Sequence, residues 1–484
     1  MKRTTAGLVS AVATLVLAAV GVSGAAAGNK PSSYTNATWY SKYQVVASGA
    51  VDPSPAPTCT TPIFEGNVDG SHETGSQSET FIAIDPSNGS HVVTGENEIQ
   101  RLPMRANYSF DGGTTFCGVD LPLPPPRTQS GFDFGSDPSL AIDMKGNIYY
   151  SYIIVDFSGG GSVNGTAMAL ARSTDGGRTW TATYWDPQTG EGQFNDKPMV
   201  TVDNNKKSKF FGRIYVAWDN ATGNSKGNDL LVSYSTDGGV TMSDPVAATA
   251  SLGGGPKGSF GADPYVTSNG TLHVAWLDYQ NQRIAEASST DGGVSYGPVH
   301  TIAPTLLRFD TSIPAQNVRG AVVYPSCGAI GATLYCSWGD ETVANGFDVF
   351  LSKSTNGGVT WSPQRRVTSD TGNADQFNHW LAVDPSNNSV NVAFYDTRQD
   401  PTNRTTLYSL ARSTDGGSTF SFQTVATAPT DETTPGANLG NQYGDYEGIA
   451  ALNGIVRPVW TDRRAAVIAA GLREEVFTQA LAIP

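Results

Sequence analysis

Acidic side chains recur at two kinds of position in this chain. One set stands just after short apolar runs that end in an aromatic residue: Asp219 after IYVAW, Asp278 after LHVAW, Asp340 after LYCSW, Asp396 after VNVAF and Asp462 after IVRPVW. The other set leads into a different apolar run, as in Phe134-Gly135-Ser136-Asp137, Phe194-Asn195-Asp196, Phe260-Gly261-Ala262-Asp263 and Tyr443-Gly444-Asp445, with Phe377-Asn378-His379 carrying a histidine instead. Carboxyl groups gathered this way suit hydrolysis of a glycosidic bond. One, held protonated by burial or by a like charge, gives a proton to the leaving oxygen, and a second carboxylate, or a Tyr assisted by Glu, meets the oxocarbenium ion. A carboxylate repeated at equivalent positions is more simply a strand-end cap or the partner of an Arg, so residues that break the repeat carry more weight. These are Glu447, His379 and Arg319. Asp196, Asp445, Glu447 and Tyr446 are the catalytic candidates, and Arg283, Arg319, His379, Arg398 and Arg463 the substrate-binding ones, because a guanidinium binds a carboxylate with two parallel hydrogen bonds. Against Tyr446 and Glu447 acting as a pair, neighbours along a strand point to opposite faces.

The elements that position these groups repeat with a long period. Tight turns of the type Ser-x-Asp-Gly-Gly have their Asp at 111, 175, 237, 291 and 415, with Asn356 in the same place, and stand 54 to 65 residues apart. Each unit reads as an apolar strand (FIAID, SLAID, MVTVD, WLAVD), a second strand ending in an aromatic residue, a third strand, the turn, and a fourth strand. Several short strands per unit at such a spacing predict a β-propeller. A seventh unit follows the last turn as GIAALN, IVRPVW and EEVFTQALAI and lacks its fourth strand, which YQVVASG from Tyr43 would supply, so the fold class is all-β with seven blades and six the alternative. The domains are then residues 1–27, 28–70 as an extension giving the closing strand, and 71–484 as the propeller. The aromatic residues ending the second strands (Tyr152, Trp218, Trp276, Trp338, Phe394, Trp460) follow the fold period and read as core. Trp185 and Phe132, outside the period, are better placed to stack on a sugar.

The repeated Ser-x-Asp-x-Gly-x-Thr-Trp turn resembles the Asp-box, and the chain resembles the Asp-box (BNR-repeat) propellers of the sialidase-like (neuraminidase) superfamily over most of its length. The turn explains itself physically: the carboxylate accepts backbone N–H bonds, the glycines supply positive φ, and the closing aromatic packs beneath the sheet. In alternating strands it faces away from the funnel where the acidic sets converge, so Asp111, Asp175, Asp237, Asp291, Asn356 and Asp415 are structural. The resemblance implies three Arg around a sugar carboxylate, a Tyr–Glu nucleophile, an Asp acid, and an Arg-Ile-Pro motif near the amino terminus. That motif is missing. Arg101-Leu102-Pro103 is the nearest echo and follows a second strand, so no family residue carries over, although Arg283, Arg398 and Arg463 follow second strands as a clamp would require.

Composition narrows the setting. The first residues have Lys2 and Arg3, an apolar run from Leu8 to Val22 and Ala25-Ala26-Ala27, the pattern of a cleaved export signal, so a secreted, extracellular protein is expected. No later stretch has the roughly 20 apolar residues that a membrane span needs. A net charge of −14 disfavours nucleic acid as a partner. Extracellular glycans or glycoconjugates are the expected partners, of a monomer. Four Cys in an exported chain predict disulfides: Cys327 with Cys336 across a short hairpin, leaving Cys59 for Cys117. With five His and no HExxH, Gly-x-Ser-x-Gly or phosphate-binding loop, metal, serine-hydrolase and nucleotide chemistry fall away. No cofactor is implied; clustered Asp could bind calcium, though no contiguous acidic loop specifies it.

Overall fold

The computed structural model describes residues 37–49, 59–60, 62–124, 132–157, 163–189, 193–222, 229–253, 258–342 and 346–482. The expected export signal lies outside them. Strands dominate, and seven antiparallel sheets form a seven-bladed propeller. Blades one to six each have four strands in consecutive order, and blade one carries a fifth, Cys59–Thr60, on its outer edge beside Phe116–Asp120. Their first strands are Gln77–Asp85, Phe132–Ile142, Gln193–Val202, Ser259–Val266, Pro325–Ile330 and Gln376–Asp384. Each packs on the first strand of the next blade, and Ile449–Leu452 of blade seven packs back on Gln77–Asp85, which closes the ring. A hairpin, Asp310–Ile313 with Gln316–Val322, is inserted between blades four and five.

Blade seven takes its fourth strand from the other end of the chain, but not from the segment expected. Asn67–Asp69 pairs with Glu475–Thr478, with Val68 opposite Thr478 and Asp69 opposite Phe477. Tyr43 to Ser48 instead ends the helix α1, Ala37–Ser48. Trp39, Lys42 and Tyr43 fall at helical i, i+3 and i+4 spacing and share the face that docks, a period that the apolar run YQVVAS does not reveal by itself. A three-residue strand such as Asn67–Asp69 is selected by the open edge waiting for it, not by its own propensity.

Both expected disulfides are present and join directly opposed strand residues: Cys59–Cys117 on the outer edge of blade one, and Cys327–Cys336 within blade five. The Asp-Gly-Gly turns are self-contained locks. In blade three, Asp237 Oδ1 accepts the Val240 and Thr241 N–H groups at 3.1 and 3.0 Å, its Oδ2 accepts the Thr241 hydroxyl at 2.7 Å, and Ser235 Oγ accepts the Gly239 N–H at 2.9 Å. Gly238 and Gly239 have φ of 75° and 82°, which suits glycine. Asn356 keeps the geometry by accepting the Thr360 N–H and donating to its hydroxyl. Trp218, Trp276, Trp338 and Trp460 are fully buried between blades, as their period implied, and Trp185, half-buried, meets Trp218 edge to face.

Candidate functional site: an ion cluster on the propeller axis

At the end of the axis opposite the Asp-Gly-Gly turns, the first strands of five blades carry the same irregularity. The pairing of first and second strands skips two residues between Ser78 and Phe81, Ser136 and Ser139, Asp196 and Met199, Phe260 and Asp263, and Phe377 and Trp380. The first skipped residue is left-handed in each: Glu79, Asp137, Lys197, Gly261 and Asn378, with φ of 51°, 63°, 51°, 69° and 46°. A β-bulge re-aims a side chain out of the sheet's alternation. Three of the five residues so placed are charged, and they meet.

Lys197 is the hub. Its Nζ lies 2.7 Å from Asp445 Oδ2, 3.2 Å from Glu79 Oε1 and 3.7 Å from Asp137 Oδ2. Arg319, from the inserted hairpin, grips Asp445 with two bonds of 2.7 Å and reaches Glu79 at 3.3 Å. Its backbone is fixed by Gln442 Oε1, which accepts the Val318 and Arg319 N–H groups at 3.0 Å. Asn97 donates to Glu79 at 2.5 Å and accepts the Asp137 N–H at 2.8 Å. Gly444 lets the lead-in of blade seven approach: a Cβ there would stand 2.2 Å from Glu79 Cγ. The side chains of Glu79, Asp137, Lys197 and Asp445 are at most 5% exposed, and that of Arg319 12%.

Burial and charge divide these carboxyl groups into two states. Asp445 is held well below the usual carboxylate range, because attraction to Arg319 and Lys197 outweighs its burial. Asp137 is lowered too, Lys197 outweighing burial. Asp196 goes the other way: burial, then the neighbouring Asp137 charge to which it is hydrogen-bonded, raise it well above the usual range. Burial pushes Glu79 up to about 7 and Asp219, opposite Asp196 on the second strand, up to about 8. At neutral pH the axis therefore holds carboxylates and carboxylic acids side by side.

The sequence candidates fall into separate places. Asp196, Asp445 and Arg319 belong to this cluster. Tyr446 lies under it, with its ring 5.2 Å from Lys197 Nζ and its hydroxyl donating to Pro138 O at 3.1 Å. Glu447, next in sequence, turns into the seam of blades one, six and seven, where it accepts from Thr80 N at 3.0 Å, Tyr395 Oη at 2.7 Å and Thr461 N at 3.2 Å. His379 is buried, and burial lowers it to about 4. Arg283 pairs with Asp278 at 2.8 Å, Arg398 with Asp396 at 2.5 Å and Arg463 with Glu474 at 3.5 Å. Each of these three is held within or beside its own blade, so the described residues do not gather them into one clamp. Among the described residues no group of three or more His, Cys, Asp or Glu is arranged to hold a metal ion, and no helix is long and apolar enough to cross a membrane.

Sequence reasoning missed Glu79, Asn97 and Lys197. Lys197 was the detectable one, since it is the cation in a position where Asp137 and Glu79 are acidic, a break in the repeat of the kind that singled out His379.

No family model matches the chain, and no curated protein matches it. Solved structures similar to it include a protein of unknown function from Dyadobacter fermentans (14% identity, 74% of this chain and 97% of that one, TM-score 0.45). A sialidase from Streptococcus pneumoniae is similar at 13% identity over 72% of this chain and 68% of that one, with a TM-score of 0.45. An alpha-L-arabinanase from Penicillium chrysogenum is similar at 14% identity over 71% and 93%, with a TM-score of 0.43.

Proposed function

We propose that the chain is a secreted, sialidase-like glycoside hydrolase acting on extracellular glycans, with the axial cluster as its centre. The observation that carries this reading is the opposite fate of two carboxyl groups bound into the same cluster: Asp196 kept protonated, Asp445 kept ionised. Groups whose surroundings push their pKa values apart are the acid and the base of a two-carboxylate reaction. Asp196 gives its proton to the glycosidic oxygen as the bond breaks, Asp445 faces the positive charge that develops at the anomeric carbon, and water then adds to that carbon and returns a proton to Asp196. Asp137 accepts the hydrogen bond that keeps Asp196 oriented. Arg319 and Lys197 fix Asp445, and Arg319, the more exposed of the two, is the group to receive an anionic sugar.

The test is hydrolysis of a fluorogenic sialoside beside neutral and uronic-acid glycosides by the purified mature chain. Asp196→Asn keeps the hydrogen bond to Asp137 and removes the proton donor, so it should lower kcat by at least 100-fold for a substrate whose leaving group needs protonation, as expected for loss of general acid catalysis. Activity that survives Asp196→Asn and Asp445→Asn unchanged would place the chemistry elsewhere. Silence on every substrate from folded protein would leave a propeller that binds glycan or protein without turning it over.

A further inference from the structure

All of the cluster on the axis but the edge of Arg319 is closed to solvent, and the helix α1 (Ala37–Ser48) lies against the same end of the propeller. Three of its side chains reach down. Trp39 is buried in the apolar cluster that includes Phe134 and Phe157 of blade two, and Tyr43, packed against that cluster, stacks on Phe157 at 5.6 Å. Between them Lys42, 1% exposed, donates to Gly135 O at 2.5 Å and stands 5.1 Å from the centre of the Phe134 ring. Phe134 and Gly135 lead directly into Asp137, so the helix rests on the very segment that carries one of the cluster's carboxylates.

From this geometry we infer that α1 is an autoinhibitory plug, docked across the mouth of the axial site and displaced when substrate enters. This rests on the reading of the axial cluster as the working centre. Two features make the plug releasable. Its central contact is a buried ammonium group bonded to a carbonyl oxygen, and burial lowers Lys42 to about 7 against the pull of Glu98 and Asp137, so the apolar contacts of Trp39 and Tyr43 work against an unfavourable burial. The tether is covalent: Cys59, ten residues beyond Gly49, is bonded to Cys117 in blade one, so a released helix stays at the site.

Amide hydrogen exchange of residues 37–48 and turnover, measured on the full mature chain, test this together. Trp39→Ala removes an apolar anchor and should speed exchange in α1 at least tenfold and raise kcat/KM, leaving the thermal midpoint of the propeller in place. Lys42→Met removes the charge, keeps the stem over Phe134, and should slow exchange in α1 and lower kcat/KM. Faster exchange with unchanged turnover would overturn the plug, as would exchange in α1 that neither variant alters. If no variant turns over any glycoside, the hydrolase reading fails. The plug is then decided by exchange in residues 132–142 alone, which should quicken in Trp39→Ala if α1 covers that strand and stay fixed if it does not.

Discussion

Glu447 offers a quantitative check on the electrostatics of the core. Burial lifts its carboxyl from 4.5 to about 8, only partly offset by the hydrogen bonds from Thr80, Tyr395 and Thr461. The folded chain therefore holds a proton here that the unfolded chain gives up above about pH 4.5. The sign follows: a carboxyl raised on folding stabilises at low pH, and that contribution is lost as pH rises toward 8. At about 1.4 kcal/mol per pH unit, the loss from this one group between pH 5 and pH 8 is about 4 kcal/mol. Gln at 447 keeps the shape and cannot titrate. Its amide places a donor near the Thr461 N–H, a constant cost that does not vary with pH. Urea unfolding of the wild type and Glu447→Gln, followed by tryptophan fluorescence at pH 5, 6, 7 and 8, should give lines that converge or cross, the variant gaining about 4 kcal/mol relative to wild type over the series. Parallel lines would refute the reasoning and mean that Glu447 is ionised in the fold.

Other expectations follow from the same structure. Lys197→Met leaves Asp445, Glu79 and Asp137 without their shared cation and should cost about 3–5 kcal/mol in urea unfolding at pH 7, less at pH 5, where Glu79 with its pKa of about 7 is protonated. Cys59→Ser with Cys117→Ser opens a loop of 58 residues and should lower stability by about 4 kcal/mol in the chain-entropy limit, read as a fall in the denaturation midpoint that reduction of the wild type, which also opens Cys327–Cys336, should exceed. Asp237→Ala removes the acceptor of a blade-three turn and should cost about 1 kcal/mol by thermal unfolding. Because hydrogen bonds from Thr241 hold Asp237 at about 2, below its ordinary 3.8, its contribution should be intact above pH 4 and fade as pH falls toward 2.

The ring was legible in the sequence because its signals are local and repeated: an apolar strand, an aromatic strand end and a turn with two glycines, written out blade after blade. Cys327 and Cys336 were legible for the same reason, as the two arms of one hairpin. The axial cluster was less so. Asp196, Asp445 and Arg319 were found as departures from or members of the repeat, but Glu79 and Lys197 reach the axis only because a two-residue bulge turns them out of the strand's alternation, and a bulge leaves little mark in a pattern of apolar residues. Asp263, which looks equivalent to Asp137 beside its proline, sits two residues past the left-handed Gly261, back in the strand pairing, and accepts the Cys327 N–H instead. The closing strand failed for a different reason. Asn67–Asp69 has almost no propensity of its own, and only the unfilled edge at Glu475–Thr478 selects it.

That edge also decides how the molecule would bear load. Asn67–Asp69 and Glu475–Thr478 run antiparallel, with Val68 beside Thr478, so the chain's two ends leave the pair on the same side. Tension applied to such a pair pulls its hydrogen bonds apart one at a time, like a zipper, and gives little resistance. Yet a pull from anywhere before Cys59 passes through the sulfur bridge into Cys117 and skips residues 60–116, the clasp strand included. A pull on the amino end is thereby carried past Asn67–Asp69 and loads the outer edge of blade one first, so from that side the short closing strand is spared the force its own few hydrogen bonds could not bear.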